Sequence, residues 1–175
     1  MIIDLITLGS SPFDFAVSFS SEEIDLEGDI AELKSPVKVE GKLTRRIVQT
    51  DIEGEISATV GIECSRCLQP VEKFLSFKID VSYVAPENYS EAKEIELRED
   101  DLDVALFDGQ NIDIKELARE QILLNLPTQI FCSEDCKGLC PKCGANRNLI
   151  DCNCEEKEID PRWQSLRELK IKNEK

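Results

Sequence analysis

The stretch Ile56-Ser57-Ala58-Thr59-Val60-Gly61-Ile62-Glu63-Cys64-Ser65-Arg66-Cys67-Leu68-Gln69-Pro70, with the run Leu75 to Tyr83 just beyond it, decides the fold. Ile56, Ala58, Val60, Ile62 and Cys64 alternate with Ser57, Thr59 and Glu63. Leu75, Phe77, Ile79, Val81 and Tyr83 alternate in the same way with Ser76, Lys78, Asp80 and Ser82. A period of two sends apolar side chains to one face of a strand and polar ones to the other. Two such runs on either side of a short loop read as antiparallel neighbours, and the loop between them carries a CxxC.

The same period extends towards the N-terminus. Val37-Lys38-Val39-Glu40-Gly41-Lys42-Leu43 alternates, and Phe13-Asp14-Phe15-Ala16-Val17-Ser18-Phe19 is a further strand candidate. Several strands without βαβ alternation predict an α+β fold built on an antiparallel β-sheet or open barrel. One helix is expected to pack on it. Asp113-Ile114-Lys115-Glu116 has the form of a capped helix start. Ile114, Leu117, Ala118 and Gln121, joined by Ile122 and Leu124, keep helical spacing until Pro127. Core packing accounts for this helix without a cofactor.

Six of the eight cysteines lie between Cys132 and Cys154, so the reading divides the chain into a β-rich core with one helix (1–128) and a Cys-rich module (129–175). Within the module, Asp160-Pro161 supplies an N-cap and a proline at the first helical position. Trp163, Leu166 and Leu169 then mark one face of a short terminal helix, whose basic residues suit its C-terminal end.

With 41% hydrophobic and 33% charged residues, the chain has the balance of a folded, soluble domain. The opening Met1-Ile2-Ile3-Asp4-Leu5 lacks the basic and apolar regions of a secretory signal, and no apolar run has bilayer-spanning length. A cytoplasmic, reducing location is expected, where clustered cysteines hold metal more often than they form disulfides. The net charge of −15 opposes unaided binding to phosphates and suits a basic partner. Glu87 to Asp103 is markedly acidic, read as solvated loop or, in the sharper version, as a docking surface for such a partner. Lys38, Lys42 and Arg46 form a basic stripe, with Lys34 and Arg45 nearby, but Glu40 interrupts it and a solvated sheet face explains it.

Tetrahedral zinc needs four thiolates at about 2.3 Å, and a CxxC turn aims two of them at one centre. Cys140-Pro141-Lys142-Cys143-Gly144 is the most specific pair, because Pro141 stiffens the turn and Gly144 permits its tight return. Cys152 and Cys154 can complete that site. Cys132 and Cys136 then remain, and Cys64 with Cys67 can join them if the hairpin tip docks beside the module. A single metal on Cys132, Cys136, Cys140 and Cys143 is an alternative partition. One zinc in the module is therefore the primary expectation, and a second involves the hairpin. Histidine is absent, which makes any such site all-sulfur and structural rather than catalytic. Its absence also removes Ser-His-Asp and Cys-His catalysis, and no phosphate-binding glycine loop occurs. The competing reading is a thiol redox protein using Cys64-Ser65-Arg66-Cys67. That motif, however, falls between antiparallel strands rather than at a helix N-terminus.

Three segments in order carry a family resemblance. They are Cys64-Ser65-Arg66-Cys67-Leu68-Gln69-Pro70, then Asp135-Cys136-Lys137-Gly138-Leu139-Cys140-Pro141-Lys142-Cys143-Gly144-Ala145-Asn146, then Asp160-Pro161-Arg162-Trp163. With the helix ending Leu126-Pro127 between the first two, the chain resembles the YceD family, the large ribosomal RNA subunit accumulation proteins. Arg147 departs from the pattern, where an apolar residue is expected. The resemblance implies a cytoplasmic bacterial or plastid protein needed for accumulation of 23S ribosomal RNA, through its synthesis, processing or stability. It implies no catalytic residue. Joined to the acidic charge, it suggests a non-enzymatic biogenesis factor that holds a basic ribosomal protein or maturation factor, with RNA contact indirect and no membrane involved.

Overall fold

In a computed structural model, residues 1–8, 11–26, 30–86 and 104–154 are described. The acidic stretch from Glu87 and the terminal helix expected after Pro161 lie outside these residues, as do Asp160, Pro161, Arg162 and Trp163 of the family pattern.

Two long strands dominate, β5 (Gln49–Glu63) and β6 (Pro70–Val84). They pair antiparallel along their whole length, with Ile56 opposite Phe77 and Ala58 opposite Leu75. The apolar period explains this register: a slip of one residue would turn Ile52, Ile56 and Val60, all fully buried, out to water. On the other side of β5 lies β4 (Val37–Arg45), followed outward by β2 (Phe13–Phe19), both antiparallel. Beyond the N-terminal end of β4, the short β3 (Glu32–Leu33) continues that side by pairing with Val60 and Gly61. The turn between β4 and β5 is pinned by buried Asp51, which pairs with Arg46 at 2.5 Å and accepts from Ser82 Oγ at 2.8 Å.

The sheet with its one described helix is compatible with the α+β expectation, with one correction. β7 (Val104–Leu106) joins β6 in parallel, so the sheet is mixed rather than wholly antiparallel. Of the two forms expected, the described residues take the open sheet, running β2-β4-β5-β6-β7. A second sheet has two strands, β1 (Ile2–Asp4) against β8 (Asn111–Asp113).

β8 leads directly into α1 (Ile114–Leu124). Asp113 is the N-cap, accepting the Lys115 N–H at 2.9 Å. Glu116 does not close a capping box; it pairs with Arg119 at 3.2 Å. Ile114, Leu117, Ala118 and Ile122 are buried in one cluster with the inner sheet residues and with Ile3 and Ile112. Leu124 is a further correction. It is 76% exposed although it lies on the same helical face as buried Leu117, while Leu123 packs against the core. Asn125 caps the end by donating to the carbonyls of Gln121 and Ile122. None of the helices is long and apolar enough to cross a membrane among the described residues.

Candidate metal centre

The loop between β5 and β6 turns back within six residues, 64–69, and two hydrogen bonds close it. Cys64 N–H donates to Gln69 O at 2.8 Å, and Leu68 N–H donates to Cys64 O at 2.9 Å. The loop from Cys140 to Ala145 repeats the scheme: Cys140 N–H donates to Ala145 O at 2.8 Å, and Gly144 N–H to Cys140 O at 2.9 Å. Both are therefore knuckles of one design, each presenting the first and last sulfur of a CxxC to the same side.

The segment after α1 is stitched onto the first knuckle. Ser65 N–H donates to Ile130 O at 2.8 Å, and Ile130 N–H donates back to Ser65 Oγ at 3.1 Å. Arg66 reaches across to the carbonyls of Glu134 and Cys136, at 3.2 and 3.0 Å, while its guanidinium lies 4.2 Å over the Phe131 ring. Leu139 N–H donates to Arg66 O at 3.0 Å. Gly138 has φ +71°, and a Cβ there would stand 3.0 Å from that same Arg66 carbonyl, so the two loops approach as closely as they do only because it is glycine.

These contacts bring the cysteines into two groups. Cys64, Cys67, Cys132 and Cys136 have sulfurs within 4.8 Å of one another, and so do Cys140, Cys143, Cys152 and Cys154. Within the first, Cys64 and Cys136 are 3.9 Å apart and Cys67 and Cys132 3.5 Å. The edge of a tetrahedron with bonds of about 2.3 Å is about 3.8 Å, so this is the spacing four thiolates take around one ion. Cys132 and Cys136 are not grouped with Cys140 and Cys143; the docked hairpin tip supplies their companions. Each group could hold a metal ion. The first is the more enclosed, with Cys64, Cys67 and Cys136 buried; in the second only Cys140 is buried.

Backbone donors favour the thiolate of the first cysteine in each CxxC. Burial pushes the Cys64 thiol up, but N–H groups of Arg66, Cys67 and Cys132 outweigh it and bring the thiol down to about 6. The N–H groups of Cys143 and Lys142 lower Cys140 to about 6 as well. Gln69 N–H acts to lower Cys67, yet burial and the neighbouring thiols push it up to about 12. Contact with Cys143, reinforced by burial, does the same to Cys154. Protons are thus shared unevenly within each group, and a bound divalent cation would displace those that remain.

Asn148 is a residue the sequence reading passed over. Its amide nitrogen donates to Cys136 Sγ at 3.4 Å, and its oxygen accepts the Lys137 N–H at 2.8 Å. A lone asparagine in a loop carries no signal of such a role; its spacing from Asn146, whose side chain accepts from both of its nitrogens, is the nearest thing to one.

The basic stripe is offset by its surroundings. Lys42 lies between Asp14 and Glu53 on the adjacent strands, Glu40 faces Glu55, and Arg46 is committed to Asp51.

Against known proteins, the model of the YceD family, described as large ribosomal RNA subunit accumulation protein YceD, matches residues 52–170. That span takes in both knuckles and all eight cysteines. The chain belongs to the YceD family. It is 30% identical over 170 residues to YlbN of Bacillus subtilis, covering 96% of this chain and 94% of that protein. It is also similar to two chloroplastic proteins named large ribosomal RNA subunit accumulation protein YCED homolog 1. The one from Zea mays is 27% identical over 77% of this chain and 54% of its own length. The one from Arabidopsis thaliana is 25% identical over 78% and 49%. The chain thus spans about half the length of these plant YceD-family proteins. No solved structure matches the chain. Arg147, the departure from the family pattern, is exposed, and its backbone N–H donates to Gly138 O at 2.9 Å.

Proposed function

We propose that this protein is a non-enzymatic factor in the accumulation of large-subunit ribosomal RNA, acting in the cytoplasm through a basic protein partner. The family match across residues 52–170 carries the reading, and the names of its plant relatives give the process. The net charge of −15 favours a basic ribosomal protein or maturation factor over direct capture of RNA, as does the screened basic stripe on β4.

In this reading each cysteine group holds one zinc ion, with Cys64, Cys67, Cys132 and Cys136 as one ligand set and Cys140, Cys143, Cys152 and Cys154 as the other. Four sulfur ligands leave no open coordination position, so the ions are structural. They hold the module (129–175), which has little apolar material of its own, against the tip of a core (1–128) that supplies two of the ligands. A redox role for Cys64 and Cys67 fits less well. Both sulfurs are buried and face two further cysteines, leaving no approach for a disulfide substrate.

The test is depletion of the protein in its native cell, with 23S ribosomal RNA measured against 16S. Alongside it, the tagged chain is incubated with purified large-subunit ribosomal proteins at rising salt. Selective loss of 23S RNA and salt-sensitive retention of a basic ribosomal protein are expected. Unchanged 23S levels, or tight binding to naked 23S RNA alone, would overturn the proposal. Metal-free protein with reactive dithiols would favour the redox reading.

A further inference from the structure

The two cysteine groups share a short piece of chain. Cys136 belongs to one and Cys140 to the other, with only Lys137, Gly138 and Leu139 between them. That peptide is held on both sides. Towards the first knuckle, Leu139 N–H reaches Arg66 O. Towards the return of the second knuckle, Leu139 bridges to Asn146, and Gly138 O accepts from Arg147 N–H. Asn148 closes the arrangement. It sits in the loop between Cys143 and Cys152, yet its side chain serves Cys136 and Lys137.

We propose that the two centres are energetically coupled and that Asn148 is the positioning residue between them. Metal bound at Cys140, Cys143, Cys152 and Cys154 orders the loop carrying Asn148, and so strengthens metal binding at Cys64, Cys67, Cys132 and Cys136. The inference rests on the zinc reading above and deepens it.

The physical basis is direct. Four thiolates around a divalent ion leave an excess of negative charge, and an N–H donor to sulfur disperses part of it. The amide of Asn148 is such a donor, reaching a buried sulfur from outside that sulfur's own turn. Its oxygen is fixed by Lys137 N–H, so the ring of contacts leaves the amide little freedom to turn away. Partners of this kind typically alter metal affinity by about ten- to a hundred-fold. Loop 144–151 is anchored at both ends by ligands of the second group, so whether the donor is in place depends on whether that group is filled. Reciprocity follows: metal at the first group must favour metal at the second by the same factor.

The test uses the full reduced chain and competition with a chelator of known affinity. Asn148→Asp is nearly isosteric and keeps the acceptor for Lys137 N–H, but it removes the donor to sulfur. We expect it to weaken zinc at the first group about ten-fold or more and to shift the thiolate-to-metal charge-transfer band of the cobalt-substituted centre there, with the thermal unfolding of the β core unchanged. A purely structural asparagine would leave that band where it was. Emptying the second group with Cys143→Ser and Cys154→Ser should cause a comparable loss at the first, and adding Asn148→Asp to that background should cost little more. Independent or additive effects, or an unmoved cobalt band, would overturn the coupling while leaving the zinc reading intact. Wild-type protein that binds no metal would overturn both.

Discussion

Leu68 and Gly144 occupy the same place in two turns of the same design. Each follows the second cysteine of a CxxC, each donates its N–H at 2.9 Å to the carbonyl of the first, and each has positive φ, 59° and 72°. Glycine adopts that conformation without penalty, whereas a side-chain-bearing residue is disfavoured there by about 1 kcal/mol or more. The first knuckle therefore carries backbone strain that the second does not.

Exchanging these residues should reveal that strain. Leu68 is 55% exposed, so Leu68→Gly removes little packing and is expected to raise stability by up to about 1 kcal/mol. A Cβ at Gly144 meets nothing within 4 Å, so Gly144→Leu should lower stability by a similar amount on conformation alone. Chemical denaturation measures both.

Metal removal should act locally. The buried sheet and helix residues form one cluster to which the cysteines do not belong. Chelation under reducing conditions is expected to leave the far-ultraviolet signature of the sheet in place while opening 131–154 to protease. Mass spectrometry of the fragments reads this out. Cleavage throughout the β-strands instead would show that the core depends on the metal.

The cap of α1 gives a third expectation. Asp113→Ala leaves the Lys115 N–H without its acceptor and should destabilise the protein by about 1 kcal/mol, whereas Asp113→Asn should cost much less. Thermal melts of the pair separate the cap from the charge.

Tyr83 sets an alkaline limit. Burial, with Glu120 and Asp113 adding to it, pushes its phenol up to about 12 from the ordinary value of 10.0. It packs edge-on against Phe107, with ring centroids 5.7 Å apart. Because the raised value belongs to the folded state, the associated stability is complete below pH 10 and is lost as pH rises from there towards about 12. Spectrophotometric titration of the tyrosinate band should find this one of the two tyrosines ionising late, together with unfolding. Tyr83→Phe should remove the late step.

The parts of this structure visible in the sequence are those with a period. Ile56 to Ile62 and Leu75 to Tyr83 repeat every second residue for long enough to declare strand, face and pairing. β3, β7 and the β1–β8 pair do not, because two or three residues make no period. β1 and β8 come from opposite ends of the described core, with Ile3 opposite Ile112. The parallel attachment of β7 was hidden for the same reason. Cysteine spacing declares which sulfurs form pairs but not which pairs meet. That depends on contacts such as Arg66 with the carbonyls of Glu134 and Cys136, between residues far apart in the chain. Asn148 was invisible because its partner is a sulfur atom of another loop.

Cys64 and Cys136 stand 72 positions apart, and their meeting has a temporal consequence. During synthesis the β5–β6 hairpin leaves the ribosome with only half of a ligand set. Sheet, helix and crossing segment must all have emerged before the remaining two sulfurs arrive. Closure of this centre is thus a late event in maturation, and a nascent chain halted before Cys132 presents there only the Cys64 and Cys67 sulfurs.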